Sequence, residues 1–489
     1  MTRTHTPPDE IRARFARAMS AMYRAEVPAY GTLVTLVETV NAQALAGDAA
    51  LAARLATTGE LARITEERHG AIRLGTAAEL ATMRRLFAVM GMVPVGYYDL
   101  SVAGVPVHST AFRPVDPAAL AHNPFRVFTS LLRLELIADV ALREAAADIL
   151  AQRRIFTPDC LALIARAEAE GGLTAAEARQ FVTEALETFR WHEEANVTAG
   201  LYHRLHEAHR LVADVVAFRG PHINHLTPRT LDIDAVQARM PDEGITPKAV
   251  IEGPPARRVP ILLRQTSFKA LEEPVAFLAP EGVAPEGTTP EGQAPEGMSR
   301  GRHTARFGEI EQRGLALTSK GQALYDRLLA ETRARVTPKA DGSNAAQYLA
   351  TLSEVFAAFP DDLDSLRLQG LGYFRYTPTG LAAQTDLTRP AAELVAAGVL
   401  RADPITYEDF LPVSAAGIFQ SNLGDSAAQT FEANPNRARF EADLGAPVID
   451  LHQLYAEAEA ASLARARAAL AQSPHPPAAR PPARDAGPD

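Results

Sequence analysis

Residues 306–314 of the chain read RFGEIEQRG, so two glutamates and two arginines lie within nine residues. The pattern predicts a strand that runs into a turn at Gly314. Because side chains alternate between the two faces of a strand, Glu309 and Glu311 would point to the same side. Two carboxylates on one inner face are costly unless a positive charge lies beside them. A bound metal ion would offset that cost, so the stretch predicts a metal site if the fold brings suitable ligands to it.

Nitrogen ligands for such a site are available in two upstream segments, ERHG at 67–70 and HINH at 222–225. His222 and His225 are three residues apart, so on one strand they face opposite sides and only one can face a shared interior. An isolated strand histidine is more often structural than ligating. We nevertheless favour a metal site, because each candidate ligand falls on a strand of a repeated unit.

Arg73 follows His69 by four residues and therefore shares its face of the predicted strand. Its guanidinium would lie about 13 Å along the strand, at roughly 3.3 Å per residue. A guanidinium binds carboxylates through paired hydrogen bonds, so Arg73 could clamp the far end of an anionic substrate. The alternative is an ordinary ion pair with a nearby acidic residue.

Length, composition and charge indicate a large soluble protein of two or three structural units. The chain has 489 residues, a formal net charge of -10 and a single cysteine, Cys160. One cysteine excludes disulfide frameworks and thiolate metal sites within the chain, and it fits a reducing cytoplasm. The negative charge argues against a nucleic-acid partner, and no apolar run approaches a membrane span or a secretory signal. We expect a cytoplasmic protein that binds small molecules, and the sequence leaves its oligomeric state open.

Helical and strand periodicities divide the chain into six predicted regions. Two of them read as strand, helix, strand, strand, each opening on a histidine, which is a repeat of topology rather than of sequence. In chain order the regions are an N-terminal helical region at 1–66, a first module at 67–115, a helical insertion at 116–217, a second module at 218–320, a C-terminal helical and mixed region at 321–470 and a tail at 471–489.

Two segments have no apolar face to bury. Pro-Glu-Gly recurs every five residues within 279–300, which predicts a flexible loop in the second module. The tail is rich in proline, alanine and arginine and is expected to be disordered. The predicted fold class is α+β, with the two modules forming a partly closed β-barrel around the metal and with large helical insertions and additions.

The strand around Glu309 resembles the metal-carboxylate strand of 4-hydroxyphenylpyruvate dioxygenase and other members of the vicinal oxygen chelate superfamily. In those enzymes the glutamate is followed, after two residues, by Gln-Arg. The resemblance therefore implies that Glu309 is the ligand, and it leaves Glu311 as an ion-pairing or supporting residue.

A longer resemblance covers roughly residues 8–465 and points to the 2-oxoadipate dioxygenase/decarboxylase family, also called 2-hydroxyglutarate synthase, of bacterial lysine catabolism. Four blocks carry it: HGAIR at 69–73, HINHLTPR at 222–229, LRQTSF at 263–268 and VSAAGIF at 413–419. The Pro-Glu-Gly repeat and the proline-rich tail depart from the family pattern and lie outside these blocks.

This resemblance implies a non-haem Fe(II) enzyme that converts 2-oxoadipate and O2 to 2-hydroxyglutarate and CO2. The residues it implies are His69, His225 and Glu309 as metal ligands, Arg73 on a substrate carboxylate, and Val413 and Ser414 closing the pocket. Two alternatives stay open: the same scaffold oxidising a different 2-oxo acid, and a metal-dependent sensor or binding protein without catalytic activity.

Overall fold

The computed structural model describes residues 4–268, 272–279, 298–304, 306–339, 341–380, 386–411 and 435–472. The helices are α1 Pro8–Glu26, α2 Pro28–Gly47, α3 Ala49–Thr58, α4 Ala77–Val89, α5 Pro117–His122, α6 Val140–Gln152, α7 Pro158–Glu170, α8 Ala175–Glu187, α9 Ala199–Ala208, α10 Arg210–Ala217, α11 Ile233–Arg239, α12 Ser319–Arg335, α13 Ala345–Phe356, α14 Leu363–Leu368, α15 Ala391–Ala396, α16 Pro435–Leu444 and α17 Leu451–Gln472. The strands are β1 Arg68–Leu74, β2 Val93–Asp99, β3 Val107–Arg113, β4 Arg126–Leu132, β5 Glu194–Thr198, β6 Leu226–Pro228, β7 Leu263–Ser267, β8 Glu273–Leu278, β9 Met298–His303, β10 Glu309–Arg313, β11 Phe374–Pro378 and β12 Leu400–Pro404. The prediction of a mixed α+β class is confirmed.

A five-stranded sheet with the order β2-β3-β4-β1-β6 forms the centre of the molecule. Strand β1 runs parallel to β4 and antiparallel to β6, so His69 has Arg126 on one side and Thr227 on the other. The pair β10-β7 adjoins the end of β6, where Arg229 bridges to Glu311. Strands β1, β6 and β10 therefore follow one another in space.

The two faces of β1 meet different apolar clusters. Ile72 and Leu74 pack into a cluster that includes residues of α1, α2, α4, α7 and α8. Ala71 packs into another, with residues of α6, α9 and α10 and with Phe410. Because His69 and Arg73 alternate with Ile72 and Leu74, they lie on the face of Ala71.

The predicted order of strand, helix, strand, strand in the first module is confirmed as β1, α4, β2 and β3. Helix α4 begins after Thr76, whose Oγ1 accepts a hydrogen bond from Glu79 N at 3.2 Å. The carboxylate of Glu79 accepts from Gly75 N rather than from Thr76 N, so the reciprocal hydrogen bond of a capping box does not form. The expected C-terminal helix is α17.

Strand β4 lies in the region that the sequence predicted to be helical, and that prediction is wrong there. All seven of its residues are buried, so they lack the polar-apolar alternation that marks a half-buried strand. Strand β5 also lies in that region. The parallel pairing of β1 with β4 completes the first sheet and could not be read from local periodicity.

The second module also departs from its prediction. Within the described residues, 222–225 form no strand, and the strand predicted to open this module on a histidine begins only at Leu226. Strands β8 and β9 pair as an antiparallel hairpin, which places 298–300 in a strand rather than in the predicted loop. Residues 280–297 and 473–489 lie outside the described part of the chain.

Among the helices of the described part, none combines the length and apolar character that a membrane span requires.

Candidate metal centre

Three buried side chains from the adjoining segments converge at one point. His69 lies on β1, His225 immediately precedes β6, and Glu309 begins β10. Each offers one ligand atom, and these atoms lie within 4.8 Å of one another. His69 Nε2 is 3.1 Å and His225 Nε2 is 3.8 Å from Glu309 Oε1. Two donors bound at right angles to one ion, each at about 2.1 Å, are about 3 Å apart, so the spacing suits a shared metal ion.

The environment of His225 provides a test of that fit. Its ring is fully buried, and neither ring nitrogen has a hydrogen-bond partner in the described structure. Buried polar atoms without partners are rare in native proteins. Burial lowers the pKa of His225 to about 4, with His69 and Arg73 acting in the same direction and Glu309 opposing them. The ring is therefore neutral at neutral pH and has a lone pair available for a metal.

Glu309 is oriented by neutral donors. Thr227 Oγ1 donates to its Oε1 at 3.0 Å, and Gln265 Nε2 donates to its Oε2 at 3.1 Å. Both imidazoles also lie close to Glu309 Oε1, at 3.1 and 3.8 Å. Two imidazoles and one carboxylate with open positions are the ligand set of non-haem iron oxygenases. The residues present fit a divalent metal ion.

Two more side chains lie near Glu309 and were not predicted. Ser267 is paired with Glu309 in the β10–β7 register, so the two share a face, and its buried hydroxyl has no partner in the described structure. Burial lowers the pKa of Lys248 to about 8, while the charges of Glu252 and Glu309 oppose that shift. Ser267 lies within the LRQTSF block at 263–268, to which the sequence assigned no individual role, and no sequence motif marked Lys248.

Glu311 has a contrasting environment. Arg313 binds it in two places, with Nε–Oε1 at 2.7 Å and Nη2–Oε2 at 2.8 Å, and Arg126 Nη2 lies 3.1 Å from Oε1. Burial raises its pKa, but the charges of Arg313, His69 and Arg126 lower it further, so the group is ionised. Its role as an ion-pairing residue is as predicted.

Glu311 also touches a proposed ligand. Its Oε2 lies 3.0 Å from His69 Nδ1. This distance suits a hydrogen bond, but the two groups are not aligned for one. Burial alone would lower the pKa of His69, but the carboxylates of Glu311 and Glu309 raise it. A carboxylate behind a metal-binding histidine fixes its ring orientation and increases its basicity.

The arginines behind Glu311 belong to a buried charge network. Arg126 also pairs with Glu67 at 2.6 Å and Glu408 at 2.7 Å. Arg229 pairs with Glu67 at 3.0 Å and Glu60 at 2.8 Å. The charges of this network compensate one another without any added ion.

The remaining predicted residues are placed as follows. Arg73 is buried on the face of β1 that carries His69, and its Nη1 lies 2.5 Å from Asp214 Oδ2. Val413 and Ser414 lie outside the described residues, and their role stays a prediction. His222 does not join the cluster, since its Nε2 lies 3.4 Å from Asp214.

Comparison with known proteins identifies the family. A model of the 2-oxoadipate dioxygenase/decarboxylase family matches residues 15–422, a span that contains all three clustered residues. A Pseudomonas putida protein named 2-oxoadipate dioxygenase/decarboxylase is 59% identical over 467 residues, covering 95% of this chain and 97% of its own. An Escherichia coli protein of the same name is 56% identical over 462 residues, covering 94% and 98%.

A solved structure agrees with these relatives. The hydroxyglutarate synthase from Pseudomonas putida in complex with 2-oxoadipate superimposes with a TM-score of 0.85 at 56% identity, covering 96% of this chain and 99% of that one. A family match over most of the chain, together with relatives at this identity, is decisive. The chain belongs to the 2-oxoadipate dioxygenase/decarboxylase family.

Proposed function

We propose that this protein is an Fe(II)-dependent dioxygenase/decarboxylase that converts 2-oxoadipate and O2 to 2-hydroxyglutarate and CO2 in lysine catabolism. The observation that carries the proposal is the buried cluster of His69, His225 and Glu309. It occurs in a chain that is 56% identical to a hydroxyglutarate synthase solved with 2-oxoadipate.

The choice of iron rests on the chemistry of the ligands. Two neutral imidazoles and one carboxylate on one side of an ion leave positions for a chelating 2-oxo acid and for O2. Bound there, Fe(II) would supply the Lewis acidity and the electrons that the reaction of O2 with a 2-oxo acid requires. Other divalent ions can occupy the same ligand set, so the metal found after purification need not be the active one.

The residues around the ligands keep the site rigid. Thr227 and Gln265 hold the Glu309 carboxylate, and Glu311 stands behind His69. Phe410 lies edge-on to the His69 ring, with centroids 4.9 Å apart, and helps to exclude water from it. A fixed, dry site is the contribution that a protein makes to cofactor chemistry of this kind.

The reaction requires one organic substrate rather than two. The carbon lost as CO2 and the carbon that becomes hydroxylated belong to the same 2-oxoadipate molecule, so no separate 2-oxo acid is consumed. We assign Arg73 to the distal carboxylate of that molecule and Val413 with Ser414 to the closure of the pocket. The buried guanidinium of Arg73, on the same strand face as His69, supports its assignment.

We also propose that the core is of the vicinal oxygen chelate type. Its modules would be β1-α4-β2-β3, beside which β4 adds a further strand, and β6-α11-β7-β10, curved around the ligands as a partly closed barrel. The adjoining positions of β1, β6 and β10 support this arrangement. Apart from the strands found where a helical region and a loop were predicted, the six-region division of the chain stays a prediction from the sequence. The cytoplasmic location and the lack of a nucleic-acid partner stay predictions as well.

Oxygen uptake tests the proposed function. The Fe(II)-loaded protein should consume O2 with 2-oxoadipate and release 2-hydroxyglutarate and CO2 in equal amounts. The panel should include 2-oxoglutarate, one carbon shorter, and 2-oxohexanoate, which lacks the distal carboxylate. Turnover of another 2-oxo acid without turnover of 2-oxoadipate would show that the assigned substrate is wrong. Iron binding without O2 consumption would support a non-catalytic binding protein.

A further inference from the structure

A buried polar cluster surrounds the arginine that we assign to the substrate. Its centre is Asp214 of α10, which is 5% exposed. Asp214 Oδ2 lies 2.5 Å from Arg73 Nη1. Its other oxygen, Oδ1, lies 3.0 Å from His303 Nε2 and 3.4 Å from His222 Nε2. One carboxylate thus joins Arg73 to two histidines from distant segments.

The hydrogen bonds of this cluster have a definite direction. A carboxylate can only accept, so His303 Nε2 carries the proton and donates to Asp214. Burial lowers the pKa of His303, against the opposing effect of Asp214, so its ring is neutral and Nδ1 accepts. Tyr202 Oη lies 2.7 Å from that Nδ1 and donates to it. Tyr202, His303 and Asp214 therefore form a chain that ends on Arg73.

Asp214 is ionised in this setting. Burial raises its pKa, but the charges of Arg73 and His222 lower it well below its usual range. The charged form holds Arg73 by a charge-assisted hydrogen bond, which is stronger than a neutral one. Trp191 packs edge-on against His222, with ring centroids 4.8 Å apart, and limits the movement of that side of the cluster.

Fixing one end of a guanidinium sets the direction of its other donors. Arg73 has several rotatable bonds, and an unfixed side chain would lose entropy on binding a carboxylate. Because the guanidinium is planar, the contact between Arg73 Nη1 and Asp214 also fixes the plane of the whole group and its position relative to the His69 end of β1. Such a clamp discriminates between substrates by the position of the distal carboxylate.

We propose that Asp214 is a positioning residue that makes the protein selective for 2-oxo acids with a distal carboxylate, acting through Arg73 and braced by His303, His222 and Tyr202. This inference rests on the proposed function, in which Arg73 binds that carboxylate. Asp214 is not a catalytic residue, since it acts on the substrate only through Arg73.

Binding measurements without turnover test the proposal. Calorimetric titration of the Fe(II)-loaded protein in the absence of O2 gives Kd for 2-oxoadipate and for 2-oxohexanoate, which has the same chain length but ends in a methyl group. The two acids share the 2-oxo acid end, so the ratio of their Kd values isolates the distal carboxylate. We expect the wild type to prefer 2-oxoadipate by at least about tenfold, the contribution of a hydrogen bond to a charged group.

The variants then separate positioning from a general structural role. Asp214→Ala should reduce that preference by about tenfold, towards the value of Arg73→Met, since Arg73 loses its anchor. Asp214→Asn should reduce it by about threefold, because the amide oxygen still accepts from Arg73 but without the charge. If the alanine variant does not fold, the asparagine variant decides the question.

Asp409→Asn provides a matched control. Asp409 is also a buried carboxylate in an ion pair, with its Oδ1 2.8 Å from Arg113 Nε. This variant should leave the preference unchanged. An unchanged preference in both Asp214 variants, an equal loss of affinity for both acids, or a wild type without preference would overturn the proposal. These binding measurements do not depend on whether the wild type consumes O2. O2 consumption is the separate test of the proposed function.

Discussion

Glu309 and Glu311 lie two residues apart on one face of β10, yet their surroundings differ. Glu311 contacts two guanidinium groups, from Arg313 and Arg126. Glu309 instead accepts hydrogen bonds from the neutral groups of Thr227 and Gln265, and its Oε1 lies 3.1 Å from His69 Nε2, with the ring of His225 also close by.

The difference indicates where a cation is required. The charge of a buried carboxylate that is paired with arginine is already compensated by the protein, so no added cation is needed. A buried carboxylate held by neutral donors beside two imidazoles has its orientation fixed, and a metal ion bound by all three groups would compensate its charge. The same strand therefore carries a structural carboxylate and a ligand carboxylate, and each can be removed separately.

Removal of Glu309 should have the largest effect. Glu309→Ala deletes the only charged ligand, so the protein should bind no stoichiometric Fe(II), and O2 uptake with 2-oxoadipate should fall to background. The metal content after reconstitution and desalting measures how much Fe(II) the variant binds. Gln312→Ala, on the same strand and bonded to Leu231 O, should retain both metal and activity. Full metal occupancy in the Glu309 variant would exclude it as a ligand.

Substitution of the two histidine ligands should have the next largest effect on metal binding, and a third histidine provides the control. His69→Ala and His225→Ala should each weaken metal binding by more than about a hundredfold, beyond the loss seen for residues that only support ligands. His222→Ala should leave metal binding largely intact, because His222 contacts Asp214 and not Glu309. Competition titration against a chelator measures the affinities. The opposite order would show that the ligand assignment is wrong.

Glu311→Gln should weaken metal binding by about 10- to 100-fold without abolishing it, since His69 loses the carboxylate behind it. The same change should destabilise the protein by about 3 kcal/mol, because Arg126 and Arg313 lose a buried counter-charge. Urea unfolding of the metal-free protein measures the second effect. Loss of metal as complete as in Glu309→Ala would mean that Glu311 is itself a ligand.

The charge network should also contribute to the stability of the metal-free protein at low pH. We expect the contribution of any one of its residues to be the smallest of these effects. Burial raises the pKa of Glu408, but Arg63 and Arg126 lower it further, so its folded pKa is below its unfolded value of about 4.3. The stabilisation is therefore present above about pH 4.3 and is lost as the pH falls from there through the folded pKa. Glu408→Gln should flatten the decline of the thermal midpoint below pH 4.3. An equally steep decline would contradict this contribution.

The sequence predicted the parts of the site that depend on short-range spacing. Alternation along a strand put Glu309 with Glu311 and His69 with Arg73, and both pairs share a face in the structure. Alternation also predicted that only one of the two histidines in 222–225 reaches the site, and His225 is the one that joins the cluster. The reason is different, however, because 222–225 form no strand and β6 begins only at Leu226.

The parts that depend on long-range pairing could not be predicted in this way. Arg126 compensates Glu311 only because β4 pairs with β1, and β4 is buried on both faces and resembles a core helix in sequence. His303 reaches Asp214 only through the β8–β9 hairpin. Asp214 lies within an apolar helix, and no local pattern distinguishes it from an ordinary ion-pairing residue.

The most direct test of the difference between the two glutamates is anomalous diffraction from crystals loaded anaerobically with Fe(II). We predict a single peak in this region, about 2.0–2.2 Å from one nitrogen each of His69 and His225 and from one oxygen of Glu309. Glu311 should remain bound to Arg313 and Arg126. An iron peak within bonding distance of Glu311 would contradict this assignment of the ligands. So would a fully occupied iron site elsewhere in the protein with no peak among His69, His225 and Glu309.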